Sequence, residues 1–168
     1  MGNQGAADGN TKVWYKQFSV QGGNMVTEIA LKRVYDDADD ADGFRILVDR
    51  LWPRGISKDK ARVDLWLKDI APTNELRKSW GHDPDTFDDF TARYRAQLEA
   101  NTSAVGELID TIREQSSRAV PRITFVYGAK SPVYNQACVL RDYLFAPVSA
   151  SSQLNRLEAA GITGISEA

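Results

Sequence analysis

The sequence predicts an α/β fold: a single compact layered domain with a small, mainly parallel sheet flanked by helices. Three observations lead there. Two short apolar runs, Arg45 to Val48 and Ile123 to Tyr127, are continuous rather than alternating, as strands buried on both faces are. Between them lie stretches whose apolar residues recur at helical spacing. The second run is followed, after a short loop, by another such stretch, and strand–loop–helix order is how layered α/β chains are built.

Residues 1–24 are rich in Gly, Asn and Gln and carry no periodic apolar face, so they are expected to be a flexible arm or leader. Thr27 to Val34 alternates apolar and polar, the period of a half-buried strand. Asp36, Asp37, Asp39, Asp40 and Asp42 form an acidic loop ending at Gly43; they lack the spacing of a calcium loop and read as solvated. Arg45 to Val48 is the next strand. Asp64 to Asp69 alternates again, an extended segment laying Leu65 and Leu67 on the core, with Trp66 and Lys68 facing the other way. Thr73 caps a helix over Asn74–Trp80, which Gly81 stops. Asp83-Pro84 opens a second helix, with Phe87, Phe90, Tyr94 and Leu98 on one stripe. Asn101 or Thr102 caps a third, with Val105, Leu108, Ile109 and Ile112 inward. Pro121 opens the strand Ile123 to Tyr127, and Ser131-Pro132 is read as the start of a helix carrying Val133, Ala137, Leu140 and Leu144. Residues 146–168 are expected to be a tail with a short helical patch near Leu154 to Ala160, which leaves 25–145 as the folded domain.

The totals narrow the function classes. A chain of 168 residues with 42% hydrophobic residues builds one domain with a real core. Its net charge of -2 gives no field to attract nucleic acid or a membrane surface, so neither is expected as a partner. One cysteine, Cys138, and one histidine, His82, supply too few ligands for a disulfide or a zinc site, and no metal is expected. No run reaches the roughly 18 apolar residues of a membrane span. The first residues, MGNQGAADGN, lack the basic and apolar regions of a signal peptide, and Ala6 stands where a myristoylation signal wants Ser or Thr. The cytoplasm is therefore the default location. There is no glycine-rich phosphate loop, nucleophile elbow or paired-carboxylate spacing, and no cofactor is expected.

The chemistry concentrates where the two buried strands end. Ligands of parallel sheets bind beyond the carboxyl ends of the strands. There the chain reads VDRLWPRG at 48–55 and YGAKS at 127–131. Residues 45–62 hold six basic side chains, Arg45, Arg50, Arg54, Lys58, Lys60 and Arg62, against Asp49 and Asp59. An arginine fork suits phosphate or carboxylate, and Pro53 restricts the backbone that presents Arg54. The expected site binds an anionic small molecule: Arg50 and Arg54 clamp the anion, Lys130 adds charge, Trp52 walls the pocket and Asn135 hydrogen-bonds the ligand. Asp49 orients the arginines or takes a proton, which makes it the one catalytic candidate. A plainer reading of the same residues makes Asp49 a structural ion-pair partner of Arg50 or Arg45, Trp52 a core residue and 58–62 a solvated helical face. A different class of function is a non-catalytic interaction domain that docks a protein partner through exposed Trp and Arg residues. His82 reads equally as a general base or as a packing residue beside a helix start, and Cys138 as a small core residue.

RILVDRLWPRGISKDKARVDLWLKDIAP, LRKSWGHDP and FVYGAKSPVYNQACVLRDYL together resemble the DUF488 family, in its short YeaO-like branch. The likeness covers about residues 28–145. It implies an α/β fold, a single compact domain and a bacterial-type cytoplasmic protein, and it supplies no reaction. Longer relatives in the wider family carry an Asp-Val-Arg strand end and a Pro-x-Ser-Arg loop, to which Asp49, Arg50, Pro53 and Arg54 are similar in position. The chain departs from the family pattern at Gly128, where the resemblance implies Ala, at Ser131, where it implies Asp, and at Gln136, where a relative often has His.

Overall fold

The computed structural model describes residues 16–20, 26–118, 120, 122–145 and 162–164. Four parallel strands form its centre, as the continuous apolar runs require: β2 (Val26–Arg33), β3 (Phe44–Leu47), β4 (Leu65–Trp66) and β5 (Arg122–Tyr127). β5 lies between β2 and β3, and β4 flanks β3. Two further strands extend the sheet past β2 in antiparallel pairing: β1 (Lys16–Val20), then β6 (Ile162–Gly164). They fall in the segments read as an arm and a tail, and nothing in their composition marked them as strands. The short helix expected near Leu154 to Ala160 lies outside the described residues.

Among the described residues the five α-helices are α1 (Lys58–Ala61), α2 (Asn74–Trp80), α3 (Phe87–Ala100), α4 (Thr102–Ser117) and α5 (Gln136–Leu144). The caps of α2 and α4 are those the sequence marked. Thr73 Oγ1 accepts from Leu76 N, and Asn101 Oδ1 accepts from Ala104 N, each satisfying a donor that the first turn leaves unpaired. Asp83 caps a 3-10 turn over Pro84–Thr86 that runs into α3. Phe90, Tyr94 and Leu98 are fully buried, and each such side chain contributes about 1.5–3 kcal/mol through area removed from water. Trp80 stacks on Phe90 at 4.1 Å between centroids, which joins α2 to α3. Tyr94 Oη donates to Ile70 O at 2.7 Å, so the buried hydroxyl keeps a partner.

Two expectations are corrected. Ser131-Pro132 makes a turn rather than a helix start: Ser131 Oγ accepts from Val133 N and Tyr134 N, and the extended backbone of Asn135 then interrupts the chain. α5 begins only at Gln136, so Val133 lies outside the helical stripe and is 55% exposed. The acidic loop is also not uniformly solvated. Asp42 is buried, takes Lys32 Nζ at 3.0 Å and Arg45 Nη1, and its carbonyl accepts from Thr124 Oγ1. The chain turns out of this knot at Gly43, whose φ is +67° and where a Cβ would stand 2.0 Å from Arg122 O. Among the described residues no helix is long and apolar enough to cross a membrane.

Candidate functional site

β3 and β5 are hydrogen-bonded neighbours in parallel register, Phe44 with Ile123 through Leu47 with Val126. Their carboxyl ends therefore emerge side by side and carry VDRLWPRG and YGAKS to the same place. A cleft of about 370 Å³ opens there, closed on the far side by α2 and by the first residue of α5. Of the six residues expected to form a site, Asp49, Arg50, Trp52 and Arg54 line it, and Lys130 and Asn135 do not.

Asp49 leaves β3 and turns back under β5. Its Oδ2 accepts from Gly128 N at 2.8 Å, its Oδ1 accepts from Gln136 Nε2, and its carbonyl accepts from Trp66 Nε1 at 2.7 Å. Burial pushes its carboxyl from the usual 3.8 up to about 6; the Gly128 and Gln136 hydrogen bonds and the charge of Arg77 pull the other way and lose. Both structural ion pairs considered for it are absent. Arg45 is buried among Asp42 and Ala61 O, and Arg50 turns away: its Nε donates to Pro72 O and its Nη2 to Ala71 O, both at 2.9 Å, with Asp69 at 3.7 Å from Nη1. Arg50 therefore fastens the 71–72 segment to the cleft wall and has little of its fork left for a ligand. Arg54 is exposed at the rim, and its carbonyl accepts from Tyr35 Oη.

Trp52 walls the cleft as expected, its Nε1 donating to Ile56 O and its ring meeting Trp66 edge-on at 5.5 Å. Lys130 is exposed and off the lining. Asn135 is fully buried and committed to the chain: Oδ1 caps α5 through Cys138 N, and Nδ2 donates to Ser131 O. It is architecture because α5 starts at Gln136 and needs a cap where the ligand contact was expected. The dense positive charge of 45–62 is likewise dispersed, with Arg45 in the core and Arg62 paired to Asp40 on the surface.

Three residues complete the site without having been singled out for it, two through side chains and Gly128 through its backbone N–H. Arg77 comes from α2, one turn before Trp80, and lines the cleft; its Nε is buried with no hydrogen-bond partner among the described residues, and its Nη2 reaches only Asn74 Oδ1 at 3.4 Å. Gln136 and Gly128 hold Asp49. No periodicity marks these positions, because their importance lies in pairs formed across elements far apart in sequence. His82 joins the rim, its ring 4.6 Å from that of Trp80 at a backbone φ of 62°. Partial burial, then the charge of Arg77, lower its pKa. Among the described residues no group of three or more His, Cys, Asp or Glu side chains is placed to hold a metal ion.

A family model described as the inactive DUF488-N3 subclade matches residues 28–160. The chain belongs to the DUF488 family. Within this DUF488 group, the uncharacterised protein Rv3073c of Mycobacterium tuberculosis is 42% identical over 118 residues, covering 70% of this chain and 94% of that protein. The uncharacterised protein YeaO of Escherichia coli is 41% identical over 116 residues, covering 69% of this chain and 96% of YeaO. The DUF488 domain here is thus YeaO-like, and its matched span runs past the boundary at 145 that the sequence had indicated. No solved structure matches.

Proposed function

We propose that the cleft binds a small anionic molecule, phosphate- or carboxylate-bearing, held by Arg54 and Arg77, and that the protein is a binder rather than a catalyst. The observation that carries this is Arg77. Arg77 lines the cleft and its guanidinium is almost unused by the protein: Nε has no partner among the described residues and Nη2 reaches only Asn74 Oδ1 at 3.4 Å, which leaves the fork to take an acceptor. Arg54 at the rim and the Arg50 charge behind it make the lining net positive against Asp49. The concave shape favours a small molecule over a docked protein surface, although Leu51 and Trp66 are exposed nearby.

The absence of a reaction is supported from two sides. The matched family model is described as inactive. The group that touches the buried Asp49 carboxyl is Gln136, an amide that cannot exchange a proton, at the position where the family resemblance implies a histidine. An acid–base pair is thereby reduced to a fixed hydrogen bond.

The test is a panel of anions at matched ionic strength, read by thermal unfolding. A ligand that binds only the folded state, present at 100 times its dissociation constant, adds about 2.7 kcal/mol, which raises the melting temperature of a domain this size by several degrees. Phosphate or a carboxylate is expected to give such a shift, Arg77→Ala and Arg54→Ala to remove it, and the matching lysine variants to restore only part, since lysine lacks the fork. No shift beyond the ionic-strength control for any anion would end this reading.

A further inference from the structure

Asp49 does not belong in a site built for an anion alone. A negative charge in the wall of a positive cleft opposes the ligand, and burying it costs the chain stability. Yet it is held in place. Gly128 N–H and the Gln136 amide each bind one carboxylate oxygen, and only the missing Cβ at 128 admits the carboxylate, since a Cβ would stand 2.8 Å from Oδ2. No ion pair with Arg50, Arg54 or Arg77 engages it among the described contacts, so its purpose is not to aim an arginine. Each oxygen so bonded keeps a further lone pair, and an ionised carboxylate only accepts. Burial pushes the carboxyl up to about 6, which still leaves it a carboxylate at neutral pH.

We propose that the occupant is a sugar-sized phosphate ester whose phosphate meets Arg54 and Arg77 and whose hydroxyl groups donate to Asp49. This rests on the anion reading above and adds what else the ligand carries. Two arginines with uncommitted forks lining a cleft that holds one carboxylate suit a dianionic phosphate better than a singly charged carboxylate. A free cation is excluded as the donor by the net positive lining. The cleft of about 370 Å³ sits at the small end of ligand pockets, which span about 300–1,000 Å³, and so takes one small molecule rather than a polymer. Trp52 and Trp80 supply aromatic wall against which the C–H faces of a sugar ring pack.

Calorimetric titration of the full chain at pH 8 with glucose 6-phosphate, cyclohexyl phosphate and inorganic phosphate tests this. Cyclohexyl phosphate keeps the ring and the anion and lacks the hydroxyls. Glucose 6-phosphate is expected to bind about tenfold more tightly than cyclohexyl phosphate, the worth of one hydrogen bond to a charged group. Asp49→Asn is expected to bind inorganic phosphate at least as tightly as the wild type, because a negative charge is gone, and to lose the preference between the two esters. A second readout needs no variant. The ratio of the two ester affinities in the wild type should narrow from pH 8 to pH 5 as Asp49 takes a proton. Titration of phosphate itself and of His82, with Tyr35, Arg50, Arg54 and Arg77 also lining the cleft, acts on both esters alike. Equal affinities at pH 8, a ratio indifferent to pH, or a preference that survives in Asp49→Asn would each overturn the hydroxyl contact while leaving the anion reading standing. If none of the three phosphates binds, the phosphate-ester proposal falls whole, and the anion panel alone decides whether a carboxylate occupies the cleft.

Discussion

Replacing Gly128 with alanine should loosen Asp49 and little else. The residue does not have a left-handed backbone, so alanine meets no conformational penalty there, and restricting the unfolded chain would by itself stabilise by about 0.4–1 kcal/mol. The obstacle is local: the added Cβ would lie 2.8 Å from Asp49 Oδ2 and 4.0 Å from Pro53 Cβ. A free carboxylate would swing aside at small cost. This one is pinned by Gly128 N–H and by Gln136, in a buried corner, so retreat breaks the hydrogen bond from Gly128 and strains the other. Losing a hydrogen bond to a charged group costs about 1.5–3 kcal/mol. Set against the entropic gain, the net destabilisation is about 1–2 kcal/mol, or roughly 2–8 °C in melting temperature for a chain of this length. The assay is a double-mutant cycle by circular dichroism melting at pH 7, with Gly128→Ala introduced into the wild type and into Asp49→Ala. In the second background the carboxylate is gone, and the same glycine substitution should be neutral or mildly stabilising; the difference is the coupling. An equal loss in both backgrounds would mean that the Cβ strikes something other than Asp49. The alanine that the family resemblance implies at 128 is by this argument incompatible with Asp49 as it stands.

Arg50→Ala should behave as a fold mutation: it strips the carbonyls of Ala71 and Pro72 of their donors and costs roughly 2 kcal/mol in urea unfolding, while the anion-dependent shift survives. An unchanged midpoint with the shift abolished would move Arg50 back into the ligand clamp. The raised pKa of Asp49 also has a sign. A carboxyl whose folded value of about 6 exceeds its unfolded 3.8 favours folding in its protonated form, so its contribution is fully present below 3.8 and is lost as pH rises through 6. The stability of the wild type relative to Asp49→Asn should fall by up to about 3 kcal/mol between pH 4 and pH 7. A difference flat in pH would show that Asp49 titrates normally.

What the sequence makes legible and what it hides divides along a physical line. Elements with one period and local caps were readable: the α3 stripe of Phe90, Tyr94 and Leu98, the Thr73 and Asn101 caps, and the two apolar strands whose pairing brings VDRLWPRG and YGAKS together. The site itself depends on contacts between residues dozens of positions apart, and charge counting misread it. Arg45 was counted in the basic segment and instead donates twice to Ala61 O and pairs with Asp42, while Asn135 looked like a ligand contact and is a helix cap. Arg77, which carried no signal, supplies the unpartnered nitrogen. The same line explains why Asp49 was legible as the centre but not in its role. Its burial and its two donors come from Gly128 and Gln136, on other elements. Burial raises the carboxyl into the range in which catalytic groups work, against the pull of both donors, and the side chain set against it is an amide that takes no proton. Burial kept without a proton partner is expensive for a chain with no use for the carboxylate, and the hydroxyl contact proposed above would offset that expense.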